Sequence, residues 1–88
     1  MAIHFPNVSR SYDPDRHRIR FWGHDDAMEV PFFLDEGVIF KLAPRTATGE
    51  SAILAAFDAA RERIYSVASR VYAPKQHRSF YVLAAADF

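Results

Sequence analysis

There is no cysteine among the 88 residues, and this excludes a disulfide framework, thiol catalysis, cysteine-ligated zinc and iron–sulfur clusters together. Glycine is scarce. Gly23, Gly37 and Gly49 lie far apart, so no glycine-rich loop exists to cradle a phosphate, and nucleotide cofactors lose their usual handle. Surplus charge is missing too: 11 Lys and Arg balance 11 Asp and Glu, which removes whole-molecule attraction to nucleic acid or an anionic membrane. The longest apolar clusters, Val30–Leu34 and Val82–Ala86, run to about five residues, against the roughly 20 that a spanning helix requires. The opening Met1–Pro6 lacks the basic stretch and long apolar run of a secretory signal. A cytoplasmic chain without membrane partner, cofactor or metal is the expectation from these absences.

What is present can build a core. Half of the residues are hydrophobic, 15% are aromatic and 25% are charged, far from the composition of disordered chains. The length is below the commonest domain size of about 100–150 residues, so residues 1–88 are expected to form one domain.

Ile3–Phe5 reads as an edge strand, and Asn7, Ser9, Ser11, Asp13, Pro14 and Asp15 as a loop. From His17 the period is two. Ile19 and Phe21 point one way, and Arg18, Arg20 and Trp22 the other. Past a turn at Gly23-His24-Asp25-Asp26, Met28, Val30, Phe32 and Leu34 share a face opposite Ala27, Glu29, Pro31 and Phe33. The expected hairpin sets Phe21 opposite Met28, Ile19 opposite Val30 and Arg20 opposite Glu29, because a slip of one residue would turn every core side chain to solvent. Pro31 cannot donate a ladder hydrogen bond, so an edge position or a bulge is expected there.

Asp35–Leu42 has helical spacing in Val38, Ile39 and Leu42, acids at its start, and Pro44 beyond its end. Thr48 is placed to cap a second helix, Gly49–Tyr72, whose stripe of Ile53, Phe57, Ala60, Ile64, Val67 and Val71 alternates steps of four and three. After a basic turn, Lys75-Gln76-His77-Arg78, comes a strand over Ser79–Ala85. Both of its faces are apolar, so it lies inside the sheet or has an outer face covered by a partner. The expected fold class is α+β: a small, mainly antiparallel sheet of three or four strands, one long helix packed on one face and a short additional helix.

Phe5-Pro6-Asn7, Ser11-Tyr12-Asp13, Val30-Pro31-Phe32 after an Arg-Phe-Trp-Gly strand, Phe57 in the long helix and the closing Ala86-Asp87-Phe88 occur in this order. Together they resemble the short bacterial proteins grouped as domain of unknown function 1488. The resemblance implies a small α+β fold with no established activity, and it supplies no catalytic residue.

His4, His17, His24 and His77 include no pair spaced three or four apart, so a metal site would need to be assembled from distant segments. His24 beside Asp25 and Asp26 resembles an acid–base arrangement, but such residues at a hairpin tip are more simply turn formers. No serine sits in a Gly-x-Ser-x-Gly setting. An enzyme is therefore not the expectation.

Arg18, Arg20 and Trp22 share a strand face, which Arg10 and Arg16 extend; basic residues interleaved with an aromatic can hold phosphates and stack bases. The competing account is a solubilised outer face, and the nearby aspartates weaken the local field. Residues 25–36 carry five acids and no base, whereas 61–78 carry five bases and one acid. Two copies could pair these patches, or the helix dipole alone could account for the cations. Trp22, Phe33, Tyr81 and Leu83 are expected on the outer sheet face, with Tyr65 and Tyr72 beside the helix stripe. That face is either an interface or hidden by the short helix. The leading expectation is a small interaction or regulatory module, a homodimer or one bound to another protein, acting through Arg18, Arg20, Trp22 and Phe33. The alternative is a nucleic-acid-binding accessory protein using the same arginines.

Overall fold

The computed structural model describes residues 3–72 and 78–88. Four strands, β1 (Arg10–Asp13), β2 (Arg18–Asp25), β3 (Met28–Asp35) and β4 (Tyr81–Leu83), form a sheet in that order. Helices α1 (Glu36–Leu42), α2 (Glu50–Ala59) and α3 (Arg61–Val71) come between β3 and β4. The first three strands pair antiparallel; β4 runs parallel to β3. The α+β class and the largely antiparallel sheet are as expected.

The faces of the hairpin are those read from its alternation, but its register is not. Phe21 pairs with Phe32, Ile19 with Leu34 and Arg20 with Phe33, while Glu29 lies opposite His24. The pairing is thus shifted by four residues and the turn lies at Asp26-Ala27, with Asp26 in the left-handed region at φ 55°. A short polar Asp tolerates that conformation. Gly23 is a strand residue whose missing side chain leaves room for Ile3 and Phe5: a Cβ there would lie 2.8 Å from atoms of both. In this register Met28, expected in the core, lies beside the turn and is 55% exposed.

The segment read as a loop contains β1, closed against β2 by a turn in which the Asp13 carboxylate accepts the N–H groups of Asp15 and Arg16. Ahead of it, His4 forms a two-bond bridge with His24. Pro31 is opposite Trp22, just before the Phe32–Leu34 stretch that β4 pairs with, so its missing donor costs no bond to β4.

The expected long helix is two. Ala60, at φ −106° and ψ 13°, separates α2 from α3, and its N–H is shared between the carbonyls of Ala56 and Phe57. No glycine or proline marks the break. Gly49, not Thr48, is the N-cap of α2, without a side-chain cap bond. Ile53 and Phe57 of α2 and Ile64, Val67 and Ala68 of α3 are buried, as are Val38 and Ile39 of α1. All of these except Val67 join one core cluster with Ile19, Phe21, Val30, Phe32, Leu34, Tyr81 and Leu83 of the sheet. All three helices therefore contribute to a core on the same side of the sheet.

β4 is shorter than expected and occupies a sheet edge. Its faces are also the reverse of the expected pair: Tyr81 and Leu83 are buried, whereas Phe80 and Val82 are exposed. With apolar residues on both faces, alternation had no polar side to mark. A 3-10 turn, Ala85–Asp87, follows, and the Asp87 carboxylate accepts the Ala84 N–H. Of the expected basic turn, only Arg78 falls among the described residues.

Candidate docking face

On the side of the sheet away from the helices, the pairing sets side chains in rows. Asp13, Arg18 and Asp35 form one row; Ser11, Arg20, Phe33 and Val82 form the next; Trp22 and Pro31 come after, then His24 and Glu29. Arg18, Arg20, Trp22 and Phe33 are thus neighbours on one face. The Arg18 guanidinium carbon lies 3.9 Å from the centre of the Phe33 ring, and that of Arg20 lies 5.1 Å from Trp22 and 5.9 Å from Phe33. Such stacking holds a cation flat against an aromatic face. Phe80 meets Phe33 edge-on at 5.5 Å and extends the aromatic cluster to β4.

The short helix does not hide this face, because α1 turns Val38 and Ile39 into the core. Phe80 and Val82 remain 48% and 39% exposed. Arg18 Nε is buried and, among the described residues, has no hydrogen-bond partner. Phe80 and Val82 were missed because neither face of β4 carries a polar marker.

Other expected members lie elsewhere. Arg10 points to the helix side and pairs with Asp58 at 2.8 Å, and Arg16 lies in the turn 3.8 Å from Asp13. Tyr81 and Leu83 belong to the core. Tyr65 stacks on Phe5 with ring centres 4.2 Å apart, and the Tyr72 hydroxyl donates to Asp25.

The His24-Asp25 neighbourhood separates by strand geometry, since consecutive residues point to opposite faces. Asp25 receives Tyr72 on the helix side, while His24 Nε2 lies 3.8 Å from Glu29 on the open face. Folding sets His4 beside His24, ring centres 6.2 Å apart. Among the described residues no group of three or more His, Cys, Asp or Glu could hold a metal ion. A second polar cluster joins Tyr12, whose hydroxyl donates to Glu36, with His17, whose Nδ1 lies 3.4 Å from that hydroxyl. The Glu36 bond, with burial and the nearby acids, pushes the Tyr12 phenol up to about 12.

Among the described residues, an open concave region of about 450 Å³ lies at Ala43, Pro44, Arg45 and Thr46. A cleft of about 160 Å³ between the hairpin, Tyr72 and Tyr81 is well below the roughly 300–1,000 Å³ of small-molecule sites. The 610 Å³ groove at the α2–α3 junction is open and lined by charged side chains such as Asp58, Arg61 and Arg63. Among the described residues no helix is long and apolar enough to cross a membrane.

No curated protein matches the chain. A crystal structure of a protein of unknown function from the DUF1488 family of Shewanella loihica PV-4 is similar with a TM-score of 0.80. The two are 17% identical over 93% of this chain and 91% of that one, a likeness of fold alone. The family model described as protein of unknown function (DUF1488) matches residues 3–84, and the chain belongs to that family.

Proposed function

We propose that the chain is a small cytosolic interaction or regulatory module, without catalytic activity, that docks a protein on the open sheet face around Arg18, Arg20, Trp22 and Phe33. The observation that carries this reading is the composition of that face: one Trp and two Phe rings interleaved with two guanidinium groups, with no helix of the described residues packed over them. Trp and Arg are the usual anchors of protein interfaces. Nucleic acid is the weaker reading, because Arg18 lies between Asp13 and Asp35 in its row and the chain has no net charge.

The test is capture by the tagged chain from a host lysate that contains the untagged chain, with and without nuclease. A protein retained through nuclease and lost on Arg20→Glu with Trp22→Ala supports the module. Material that disappears with nuclease moves the assignment to nucleic acid. Recovery of the bait alone, with neither a protein nor its own untagged copy, overturns it.

A further inference from the structure

The open face of the hairpin is complementary to itself. Arg18 lies opposite Asp35, Arg20 opposite Phe33, Trp22 opposite Pro31 and His24 opposite Glu29. In each row β2 supplies the cation, imidazole or indole, and β3 supplies the acid, ring or proline. Consider a second copy laid face to face about a two-fold axis that runs along the strands, between β2 and β3. This operation sets β2 over β3 of the other copy and keeps every row in place. Each of the four pairings is then available between copies, twice over.

We propose that the occupant of the open face is a second copy of this chain in this arrangement; the proposal rests on the docking-face reading above and names its partner. The charges select this occupant. Asp13 is drawn to Arg16, whereas Asp35 is exposed and makes no ion pair among the described residues. Arg18 is stacked on Phe33 and likewise makes no ion pair among the described residues. One free carboxylate and one guanidinium without an ion pair per copy meet across the axis as two Arg18–Asp35 contacts. The apolar residues fit the same operation: Trp22 stacks on Pro31 of the second copy, and Val82 closes over Ser11 of the β1 edge.

The size of the face sets the character of the dimer. With strands about 4.8 Å apart and about 3.3 Å per residue, it measures roughly 20 by 20 Å. Two such faces bury roughly 800 Å² in total, below the roughly 1,200–2,000 Å² of stable specific interfaces and in the range of weak, transient ones. Association is therefore reversible, and mass depends on concentration.

The test is a charge swap in trans, read by sedimentation equilibrium on the purified chain. Arg18→Asp and Asp35→Arg each place like charges at two symmetric positions, and each weakens self-association by roughly a hundredfold. Mixing the two variants restores dimer. The aspartate introduced at position 18 of one copy then meets the arginine introduced at position 35 of the other, and the second contact is the native pair. Only a contact between copies gives that rescue. Circular dichroism and urea unfolding establish that each variant is folded. Val82→Arg, at an exposed edge position, gives a second monomeric variant if either swap fails to fold. A wild-type chain that stays monomeric at every concentration overturns the proposal. So does a dimer that persists in all three variants, which would use another surface. If the wild type is monomeric yet captures a different protein that Arg20→Glu with Trp22→Ala releases, the second copy is overturned and the docking face stands.

Discussion

Arg10 and Asp58, on β1 and α2, are joined by two parallel bonds, Nε to Oδ1 at 3.0 Å and Nη2 to Oδ2 at 2.8 Å. The same carboxylate accepts Nε and Nη2 of Arg61 at 3.0 and 2.7 Å, and Arg61 Nη2 also donates to the Val8 carbonyl. Asp58 thus fastens the free edge strand to the junction of two helices, and Arg61 fastens the segment before that strand. Asp58→Asn keeps the volume and removes the charge. Allowing for solvent screening of a site this exposed, the expected loss is about 1 kcal/mol.

That loss should depend on pH. The hydrogen bond from Arg10, with help from Arg61, holds the Asp58 carboxyl below the usual carboxylate range. Its contribution is therefore present above the unfolded value, about 3.9, and disappears as pH falls through the lowered folded value. Urea midpoints of wild type and Asp58→Asn should differ at pH 7 and converge toward pH 2. A constant difference would refute the assignment.

Gly23→Ala sets a methyl against Ile3 and Phe5, 2.8 Å from atoms of each. Overpacking of this kind costs about 1–3 kcal/mol. Ile3→Ala removes part of the obstruction, so the double variant should be less destabilised than the two single effects added together. Strict additivity in a double-mutant cycle would count against the close approach.

Tyr12 and Tyr72 should ionise only near pH 12. The bonds they donate to Glu36 and Asp25 are the main cause, with burial and the nearby acids assisting. Each folded value lies above the unfolded value of about 10, so the stabilisation is present below pH 10 and is lost as pH rises toward 12. Phenolate absorbance should show this late phase. Tyr12→Phe and Tyr72→Phe should each remove part of it.

Met28→Lys tests the register. At 55% exposure Met28 lies beyond the core, and the substitution should change stability by less than about 0.5 kcal/mol. Val30→Ala, buried at 4% exposure, should cost about 1 kcal/mol or more. Had Met28 faced Phe21, the lysine would be the more damaging change.

Much of this molecule was legible in its residues. The alternation through Arg18–Trp22 and Glu29–Leu34 assigned both hairpin faces correctly, because a strand turns successive side chains to opposite sides whatever it pairs with. Arg18, Arg20, Trp22 and Phe33 were therefore already on one side. The helical stripe likewise marked Ile53, Phe57, Ile64 and Val67 as buried. The register escaped because a shift of four positions is even: it leaves every residue on its own face, and alternation cannot detect it. The break at Ala60 escaped because alanine is a strong helix former and the nearby contacts of Arg61 come from distant Val8 as well as Asp58.

Local periodicity thus determined which way each hairpin and helix side chain points, since that depends only on the geometry of the strand or helix carrying it. The tertiary structure decided which residues sit opposite one another, that β4 joins β3 in parallel with Phe80 and Val82 outward, and that all three helices pack on one side. Those outcomes depend on contacts between residues far apart in the chain, where burial of one common core selects among arrangements that local pattern leaves equivalent.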